Sequence, residues 1–306
     1  MRIFEFEAKR IFSAMGIPVP RAGLAETPQQ VYDISWELNS PVVLKPQTLN
    51  KGRGEAGLIL FAQGPQEAVD QSRTLFGKEF EGEIIESILV EERVNVKAEL
   101  YLGVTVDYST ALPVFITSPF GGIEIERTAL ERPELVTKTS VSNSRGVSEK
   151  DVKSIVKGFS DYLKEDWFVL EDKLKQMLFN LYRIFRTYEC EMVEINPLGI
   201  KDDGSLVALD AAMAIDDDAL FRHPEFVRPR GQSEEDFKKE QAFREKGWTY
   251  IQLDGDIGIL SSGAGITMAI LDLMSMKGGK PANFLDTAQM NRQGIYEAFK
   301  LSLIHI

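Results

Sequence analysis

A lysine and an arginine flank a short polar loop near the amino terminus. Lys45 ends the apolar run that begins at Pro41, and Gly52-Arg53-Gly54 follows shortly after it. Glycines let backbone N–H groups approach oxygen atoms closely, and the two cationic side chains supply positive charge. The pattern therefore suits polyphosphate binding, although the spacing of a Walker A motif is absent. The alternative is a mobile hairpin loop whose charges face water.

The chain from Cys190 to Asp210 predicts a β-hairpin that turns at Asp202-Asp203-Gly204. A three-residue loop with a left-handed Gly204 would place Asn196 opposite Asp210. An amide carbonyl facing a carboxylate offers two of the oxygen ligands that Mg²⁺ prefers, with water and phosphate in the remaining positions. Glu194 would share their face of the strand. A register slip of one residue would remove the pair, and the alternative is that these polar side chains simply face water.

Two glutamates and a glycine-rich turn offer weaker signals. Glu91 closes one apolar strand and Glu99 opens the next. Carboxylates at strand ends can accept hydrogen bonds from an adenine amino group or from ribose hydroxyls, but a solvated charged connection is the alternative. The turn Ser261–Gly265 exposes a helix N-terminus, which favours anions, and an ordinary tight connection explains it equally well.

Hydrophobic periodicity predicts the elements that position these residues. Helices are predicted over 4–15, 29–38, 66–77, 148–159 and 167–187, and strands over 41–45, 57–61, 84–91, 98–107 and 114–116. Residues 223–245 are charged and contain two prolines, which predicts a linker. Beyond it, a strand over 257–260, a helix over 266–276 and a strand over 282–285 indicate a parallel sheet.

Composition and charge exclude several classes of protein. The chain has 306 residues, of which 43% are apolar and 27% are charged, as in ordinary globular proteins and unlike disordered chains. A net charge of −12 argues against a nucleic-acid partner. The single cysteine excludes an internal disulfide framework and indicates a reducing, cytoplasmic location. The sequence contains neither a signal peptide nor an apolar run long enough to span a membrane.

Several stretches together indicate a family. They are Gly16–Pro20, Val43–Lys45 with Gly52–Gly57, Ile88–Glu91 with Glu99–Gly103, Gly121–Glu126, Glu194–Leu198, Leu209-Asp210, Ala219–Arg222, Leu253–Gly255, Gly263–Gly265 and Pro281–Asp286. Their order and spacing resemble the β subunits of succinyl-CoA synthetase, which are ATP-grasp proteins also called succinate–CoA ligases. The resemblance implies an α/β chain. An α+β ATP-grasp domain would cover 1–238, and an incomplete flavodoxin-like ligase domain with a parallel sheet would cover 245–306.

The resemblance also implies roles for individual residues. Lys45, Gly52, Arg53 and Gly54 would hold the phosphates of ATP or GTP, and Glu91, Val94 and Glu99 the nucleoside. Asn196 and Asp210 would bind Mg²⁺, in agreement with the hairpin prediction. Glu194 would contact a phosphohistidine carried by a partner α subunit, which also binds most of CoA, and Ser262 would lie at the substrate site. The phosphate would pass from ATP to that histidine and then to succinate, and CoA would displace it.

The sequence departs from the family pattern at several positions, and the first two of these lie in the ligase half. Ser262 replaces an asparagine, and Leu285-Asp286 continues into 287–290 without the usual glycine run. Ala211-Ala212 replaces a common Gly-Lys pair, and residues 301–306 match nothing expected there. These departures leave three alternatives to succinate–CoA ligase: a malate–CoA ligase subunit, an ATP-citrate-lyase-type subunit, and a catalytically impaired nucleotide-binding subunit or gene fragment.

Overall fold

Antiparallel strand pairing dominates the first part of the chain. A computed structural model describes residues 1–122, 125–227, 234–287 and 291–302. The chain divides into two compact units, Met1–Phe226 and Val227–Ile306. The mixed α/β class predicted from the sequence is confirmed.

The first unit alternates short helices with strands. Its helices are α1 (Glu5–Ala14), α2 (Pro28–Leu38), α3 (Pro65–Ser72), α4 (Ile125–Glu131), α5 (Glu149–Lys157), α6 (Ser160–Leu163) and α7 (Trp167–Thr187). Its strands are β1 (Ala22–Ala25), β2 (Val42–Pro46), β3 (Leu60–Ala62), β4 (Glu79–Phe80), β5 (Glu83–Ile84), β6 (Ile88–Glu92), β7 (Ala98–Asp107), β8 (Leu112–Ser118), β9 (Thr137–Ser140), β10 (Cys190–Ile200), β11 (Leu206–Ala208) and β12 (Ala212–Ile215). Short 3₁₀ turns cover Pro133–Leu135, Lys164–Asp166, Asp217–Arg222 and Pro224–Phe226.

A four-stranded antiparallel sheet carries the predicted Lys45. Its strand order is β1-β6-β2-β3, and helices α2 and α3 pack against it. Side chains alternate between the two faces of a strand, so Val42 and Leu44 enter the apolar core. Lys45 therefore points to the opposite face. Val43 pairs with Glu91, which makes Lys45 and Glu91 diagonal neighbours on that face, within reach of long side chains.

A second antiparallel sheet carries the predicted hairpin. Its order is β11-β10-β7-β8-β9, and β12 also pairs with β10. Helix α7 packs against β7 and β10, and buries its apolar side chains there. The predicted helix over 167–187 is confirmed, and Ser148 caps α5 in a reciprocal capping box with Asp151.

The predicted hairpin register is confirmed. Gly204 has a φ of 72°, and the Lys201 N–H donates to the Ser205 carbonyl at 2.9 Å. Leu198 pairs with Ala208 in β11, and Glu194 pairs with Ala212 in β12. These two pairs lie on either side of Asn196 and follow a single register, so Asn196 stands opposite Asp210.

The second unit differs from the prediction in its strand pairing. It contains α8 (Glu234–Arg244), β13 (Thr249–Gln252), α9 (Ala264–Met276), β14 (Asn283–Asp286) and α10 (Arg292–Ser302). Strands β13 and β14 pair antiparallel. The predicted strand over 257–260 is not formed. Instead, isolated parallel bridges join Ile257 to Pro281 and Ser261 to Asp286. Between them, the Asn283 side chain donates to the Ile259 carbonyl and accepts from its N–H, both at 2.8 Å.

The predicted linker over 223–245 is wrong in its second half, because α8 occupies Glu234–Arg244. Phe243 of this helix is buried against Trp248 and Tyr250 in the core of the second unit. The predicted domain end at 238 therefore falls inside a helix. Within the described residues, none of the helices combines the length and the apolar character that crossing a membrane requires.

Candidate functional site

A cleft of about 940 Å³ brings together several of the predicted residues of the first unit. Its lining includes the loop residues Gly52, Arg53 and Gly54 and the hairpin residues Glu194, Asn196 and Asp210. The two groups are far apart in sequence, so the fold is what places a cationic loop opposite an oxygen-rich strand pair. Gly52 has a φ of 91°, and no described atom lies within 4 Å of a Cβ built at Gly52 or Gly54. The loop is therefore open to a ligand.

Beneath the cleft lies a buried ion cluster formed by Glu5, Lys9, Lys45 and Glu91. The Lys45 Nζ lies 2.9 Å from Glu5 Oε1 and 2.9 Å from Glu91 Oε1, and also donates to the Leu209 carbonyl. The Lys9 Nζ lies 2.8 Å from Glu5 Oε1, contacts Glu91 Oε2, and donates to the same Leu209 carbonyl at 2.7 Å. Helix α1 supplies Glu5 and Lys9 one turn apart, on the same side of the helix.

Arg53 connects this cluster to the cleft. Its Nη2 lies 2.8 Å from Glu5 Oε2, and its Nη1 donates to the Pro46 carbonyl at 2.7 Å. The same Nη2 is 3.7 Å from Asp210 Oδ2. Two short contacts fix the plane of a guanidinium that has five N–H donors. The side chain is therefore held in one orientation at the cleft floor.

Burial and charge act in opposite directions on the ionisable groups of the cluster. Burial alone would raise the pKa of the Glu5 carboxyl, but Lys45, Lys9 and Arg53 hold that pKa well below its usual value. Burial alone would lower the pKa of Lys45, but Glu5, Glu91 and Asp210 raise it above its usual value. Glu5 and Lys45 are therefore both charged at neutral pH. A buried network of this kind is tolerated only because each charge has close partners.

The hairpin wall, formed by Glu194, Asn196 and Asp210, presents oxygen atoms to the cleft. The Asn196 Oδ1 accepts from the Gly122 N–H at 2.8 Å. Gly122 is left-handed, with a φ of 72°, and glycine adopts this conformation without steric cost. The contact fixes the orientation of the Asn196 amide. A carbonyl oxygen has two lone pairs, so accepting this hydrogen bond does not by itself prevent the oxygen from binding a cation.

Asp210 has a shifted pKa. Its side chain is 39% exposed, and its Oδ1 accepts from the Ala211 N–H at 2.7 Å. Surrounding protein atoms and the neighbouring Glu5 carboxylate raise its pKa to about 6, against the opposing effect of Arg53. Asp210 is costly to ionise because it is surrounded by protein atoms and lies near the Glu5 carboxylate. A divalent cation would offset this cost. Among the described residues, no group of three or more His, Cys, Asp or Glu side chains is arranged for a metal, so other ligands would have to come from substrate and water.

Glu194 lies where the cleft meets a second cavity. This smaller cavity has a volume of about 210 Å³ and lies on the same sheet. It shares Lys51, Met192 and Glu194 with the cleft and is otherwise lined largely by apolar side chains. Lys51 Nζ lies 3.9 Å from Glu194 Oε2.

Other predicted residues lie elsewhere. Glu91 is only 2% exposed and belongs to the buried ion cluster, so it is not part of a solvated connection. Val94 and Glu99 follow it along the chain and are absent from the described lining of the cleft. Protein atoms near Glu99 raise its pKa. Ser262, in the second unit, is exposed in the turn before α9. In that turn the Gly263 N–H donates to Asp286 Oδ1 at 2.7 Å.

Several of the ranges that the sequence singles out are only partly described: residues 228–233 of the predicted linker and 303–306 at the end of the chain lie outside the described residues. Ile123 and Glu124 of the stretch Gly121–Glu126, and residues 288–290 after Thr287, lie outside the described residues.

Comparison with known proteins identifies the family. The profile of the ATP-grasp domain matches residues 2–200. The β subunit 2 of the ADP-forming succinate–CoA ligase of Archaeoglobus fulgidus is 43% identical over 286 residues, which cover 94% of this chain and 73% of that protein. The chain belongs to the family of succinate–CoA ligase β subunits. Another family member, the β subunit of the GDP-forming succinate–CoA ligase of Thermus thermophilus, is 37% identical over 99% of this chain and 79% of its own length.

A solved structure outside the named β subunits has the same fold. ATP citrate lyase from Methanothrix soehngenii, in complex with citrate and coenzyme A, superposes with a TM-score of 0.75. The match covers 99% of this chain and 76% of that chain at 20% identity. At this identity the likeness concerns the fold alone.

Sequence reasoning missed the α1 side chains of the site. The hydrophobic periodicity over 4–15 predicts the helix but assigns no role to Glu5 or Lys9. A signal was present, because an acid and a base at i and i+4 on one helix can pair. Nothing in that spacing indicates that Lys45 and Glu91, far along the chain, bury the pair.

Proposed function

We propose that this chain is the nucleotide-binding β subunit of an ADP-forming acyl-CoA ligase, with succinate as the acid. The observation that carries the proposal is the approach of Arg53 to Asp210, 3.7 Å apart at the floor of one cleft. A fixed guanidinium suits phosphate oxygens, and a carboxylate paired with an amide carbonyl suits Mg²⁺. Both requirements of phosphoryl transfer, charge neutralisation and positioning, are then met in one place.

The nucleotide phosphates would lie against Gly52, Arg53 and Gly54, with Lys45 below them. The open backbone of the loop admits oxygen atoms, and Arg53 is already oriented by Glu5 and Pro46. Val94 and Glu99, with Glu91, are the residues proposed for the nucleoside. The named relatives include both ADP-forming and GDP-forming ligases, so ATP and GTP are both candidates for this chain.

Asn196 and Asp210 would hold Mg²⁺ together with phosphate oxygens and water. The fit rests on the register that places them opposite each other and on the raised pKa of Asp210. When bound, the ion would neutralise charge on the phosphates. The chain's own part is to orient the Asn196 carbonyl through Gly122 and to keep the Asp210 carboxylate at the cleft floor.

The proposed reaction proceeds in three transfers. A nitrogen of the partner α subunit's histidine attacks the γ-phosphorus of ATP, and ADP leaves. A carboxylate oxygen of succinate then takes the phosphoryl group, which frees the histidine and forms an acyl phosphate. The thiol of CoA attacks the acyl carbon, phosphate leaves, and a thioester remains. Glu194, at the edge of the cleft, would contact the phosphorylated imidazole.

In this proposal, the ligase half determines which carboxylic acid is the substrate. We assign the nucleotide-binding role to the ATP-grasp domain and the acyl-CoA chemistry to the second unit with the α subunit. Ser262 replaces the family's asparagine before Gly263, so the choice of succinate is open to test, and malate and citrate are the competing acids. A nucleotide-binding subunit without ligase activity is the second candidate. We also propose a cytoplasmic location, because the single cysteine, Cys190, is free and buried rather than part of a disulfide framework.

The test is to express the chain with an α subunit of the family and to supply ATP or GTP with Mg²⁺. Succinate, malate and citrate are then compared by thioester formation with CoA. Thioester from succinate supports the main proposal, and thioester only from malate or citrate replaces the acid. Phosphorylation of the α histidine without any thioester favours the nucleotide-binding subunit. Absence of both, from a mixture in which the two chains copurify, contradicts the proposal.

A further inference from the structure

Lys9 and Lys45 bind the same three acceptors from two sides. Both Nζ atoms contact the Glu5 carboxylate, the Glu91 carboxylate and the Leu209 carbonyl. Glu5 offers the same oxygen to both, whereas Glu91 offers Oε2 to Lys9 and Oε1 to Lys45. Lys9 was not among the residues predicted for the site, and its side chain is only 5% exposed.

The protein contacts of Lys45 compete with phosphate for its ammonium group. An ammonium has three N–H donors, and Lys45 already donates to the Glu5 carboxylate and the Leu209 carbonyl and forms an ion pair with Glu91. It can bind a phosphate oxygen only by giving up at least one of these contacts. Two of the three acceptors are buried carboxylates, and leaving a buried charge without a partner is strongly unfavourable. Lys45 alone would therefore be retained by Glu5 and Glu91.

Lys9 removes this obstacle. When Lys45 turns toward the cleft, Lys9 still contacts Glu5, Glu91 and the Leu209 carbonyl, and Arg53 still contacts Glu5. We propose that Lys9 is a positioning residue that neutralises Glu5 and Glu91 and so releases Lys45 to bind a nucleotide phosphate. The inference rests on the proposed function, because it assumes that Lys45 binds phosphate.

Lys9 itself stays below the cleft in this scheme. Neither lysine is in the described lining of the cleft, of which Arg53 and Glu5 are part, but the Lys45 side chain is 10% exposed and that of Lys9 only 5%. Its effect must therefore pass through Lys45 and be felt by ligands that carry the phosphates Lys45 binds. Adenosine, which has no phosphate, should not depend on Lys9.

The experiment measures binding of ATP and of adenosine to the full chain by isothermal titration calorimetry. Lys9→Met removes the charge and keeps the length, and Lys9→Arg keeps the charge. Arg10→Met, an exposed neighbour on α1, is the matched control for the loss of one positive charge. For Lys9→Met we expect the Kd of ATP to rise by about tenfold or more, the loss of one charge-assisted hydrogen bond. Adenosine should bind as it does to the unmodified chain.

Lys9→Arg should retain ATP affinity to within about threefold, because a cation still neutralises both carboxylates. Arg10→Met should bind ATP like the unmodified chain. Circular dichroism reports whether each variant is folded. Should Lys9→Met fail to fold, Lys9→Gln takes its place, since its amide still donates two hydrogen bonds without the charge.

Lys45→Met distinguishes the role of Lys9 from the role of Lys45 in binding phosphate. Weak ATP binding by Lys45→Met together with normal binding by folded Lys9→Met would overturn this inference and leave the proposed function intact. An equal loss of ATP and adenosine affinity in Lys9→Met would also overturn it, because a general disturbance of the cleft would then explain the result. Normal ATP binding by Lys45→Met would instead remove Lys45 from the proposed nucleotide site.

Discussion

The two sides of the cleft hold their charged groups in opposite ways. In the buried ion cluster, Lys9 and Lys45 are surrounded by short contacts, at 2.9 Å or less, to groups of the same chain. On the hairpin wall, the contacts to cationic side chains are longer: Arg53 lies 3.7 Å from Asp210 and Lys51 lies 3.9 Å from Glu194. A ligand that binds the cluster must displace short contacts between protein groups. A cation that binds the hairpin wall meets only these longer contacts. The difference suggests that the cluster sets how readily the nucleotide binds and that the wall sets metal dependence.

The largest expected effect is on the hairpin wall. Asp210→Asn keeps the shape and removes the charge that Mg²⁺ would need, so phosphorylation of the α subunit should fall by about a hundredfold or more. Transfer of labelled γ-phosphate from ATP measures this. Asp202→Asn, on the exposed turn of the same hairpin, is the control and should be neutral. Unchanged phosphorylation in Asp210→Asn would remove the metal assignment.

Next in size is the stability of the buried ion cluster. Glu91→Gln leaves Lys9 and Lys45 with one carboxylate fewer, and breaking a buried network should lower the free energy of unfolding by about 3 kcal/mol. Urea denaturation followed by circular dichroism measures it. The neighbouring Glu92, whose side chain is 23% exposed and pairs with Arg21, provides the control: Glu92→Gln should cost about 1 kcal/mol or less. Equal losses in the two variants would contradict the contrast between the two kinds of pair.

The pH dependence of the hairpin wall should be smaller. Asp210 has a pKa of about 6 in the folded chain, so its carboxylate is ionised at pH 7 and largely protonated at pH 5. Mg²⁺ competes with that proton, and the Mg²⁺-dependent part of nucleotide affinity should fall about tenfold between pH 7 and pH 5. Calorimetric titration with and without EDTA isolates this part. A profile of the same slope in Asp210→Asn would assign the effect to another group.

The same shift has the opposite sign for stability without metal. A carboxyl whose folded pKa exceeds its unfolded pKa binds more protons when folded. Its contribution to the free energy of unfolding is therefore greatest in acid and decreases as pH rises through about 6. Metal binding and folding thus respond to the titration of Asp210 in opposite directions.

We expect the smallest effect from an exposed ion pair, which is the reference against which the buried ion cluster is compared. Arg222 donates to both oxygens of Glu189, and the two side chains are 47% and 37% exposed. Because solvent screens such pairs, a double-mutant cycle with alanine should give a coupling far smaller than the loss in Glu91→Gln when both are measured by urea denaturation. A coupling as large as the loss in Glu91→Gln would show that burial is not what distinguishes the cluster.

The fold elements of the first unit could largely be predicted because their signals are local. The Ser148 cap, the apolar face of α7 and the left-handed Gly204 each specify a local geometry. The hairpin register follows from turn length alone, so the juxtaposition of Asn196 and Asp210 was also within reach of the sequence.

The remaining features depend on contacts between distant segments. The burial of Lys9 requires Glu91, and no local pattern links α1 to β6. In the second unit, the Asn283 side chain forms the hydrogen bonds that a strand over 257–260 would have made with its backbone. Helix α8 begins after two prolines, and its run of charges has little apolar periodicity, so the sequence resembled a linker.

The length of the turn at residues 202–204 determines which side chains of the hairpin stand opposite each other. Opposite residues of two strands point to the same face, and a shift by one residue moves a side chain to the other face. If the loop keeps three residues, inserting one residue in this turn would therefore separate the oxygens of Asn196 and Asp210, although the change is on the surface and far from both. Inserting two would restore the pairing. In a relative whose hairpin also has a three-residue loop, an odd number of residues between the two side chains is thus required for this pair.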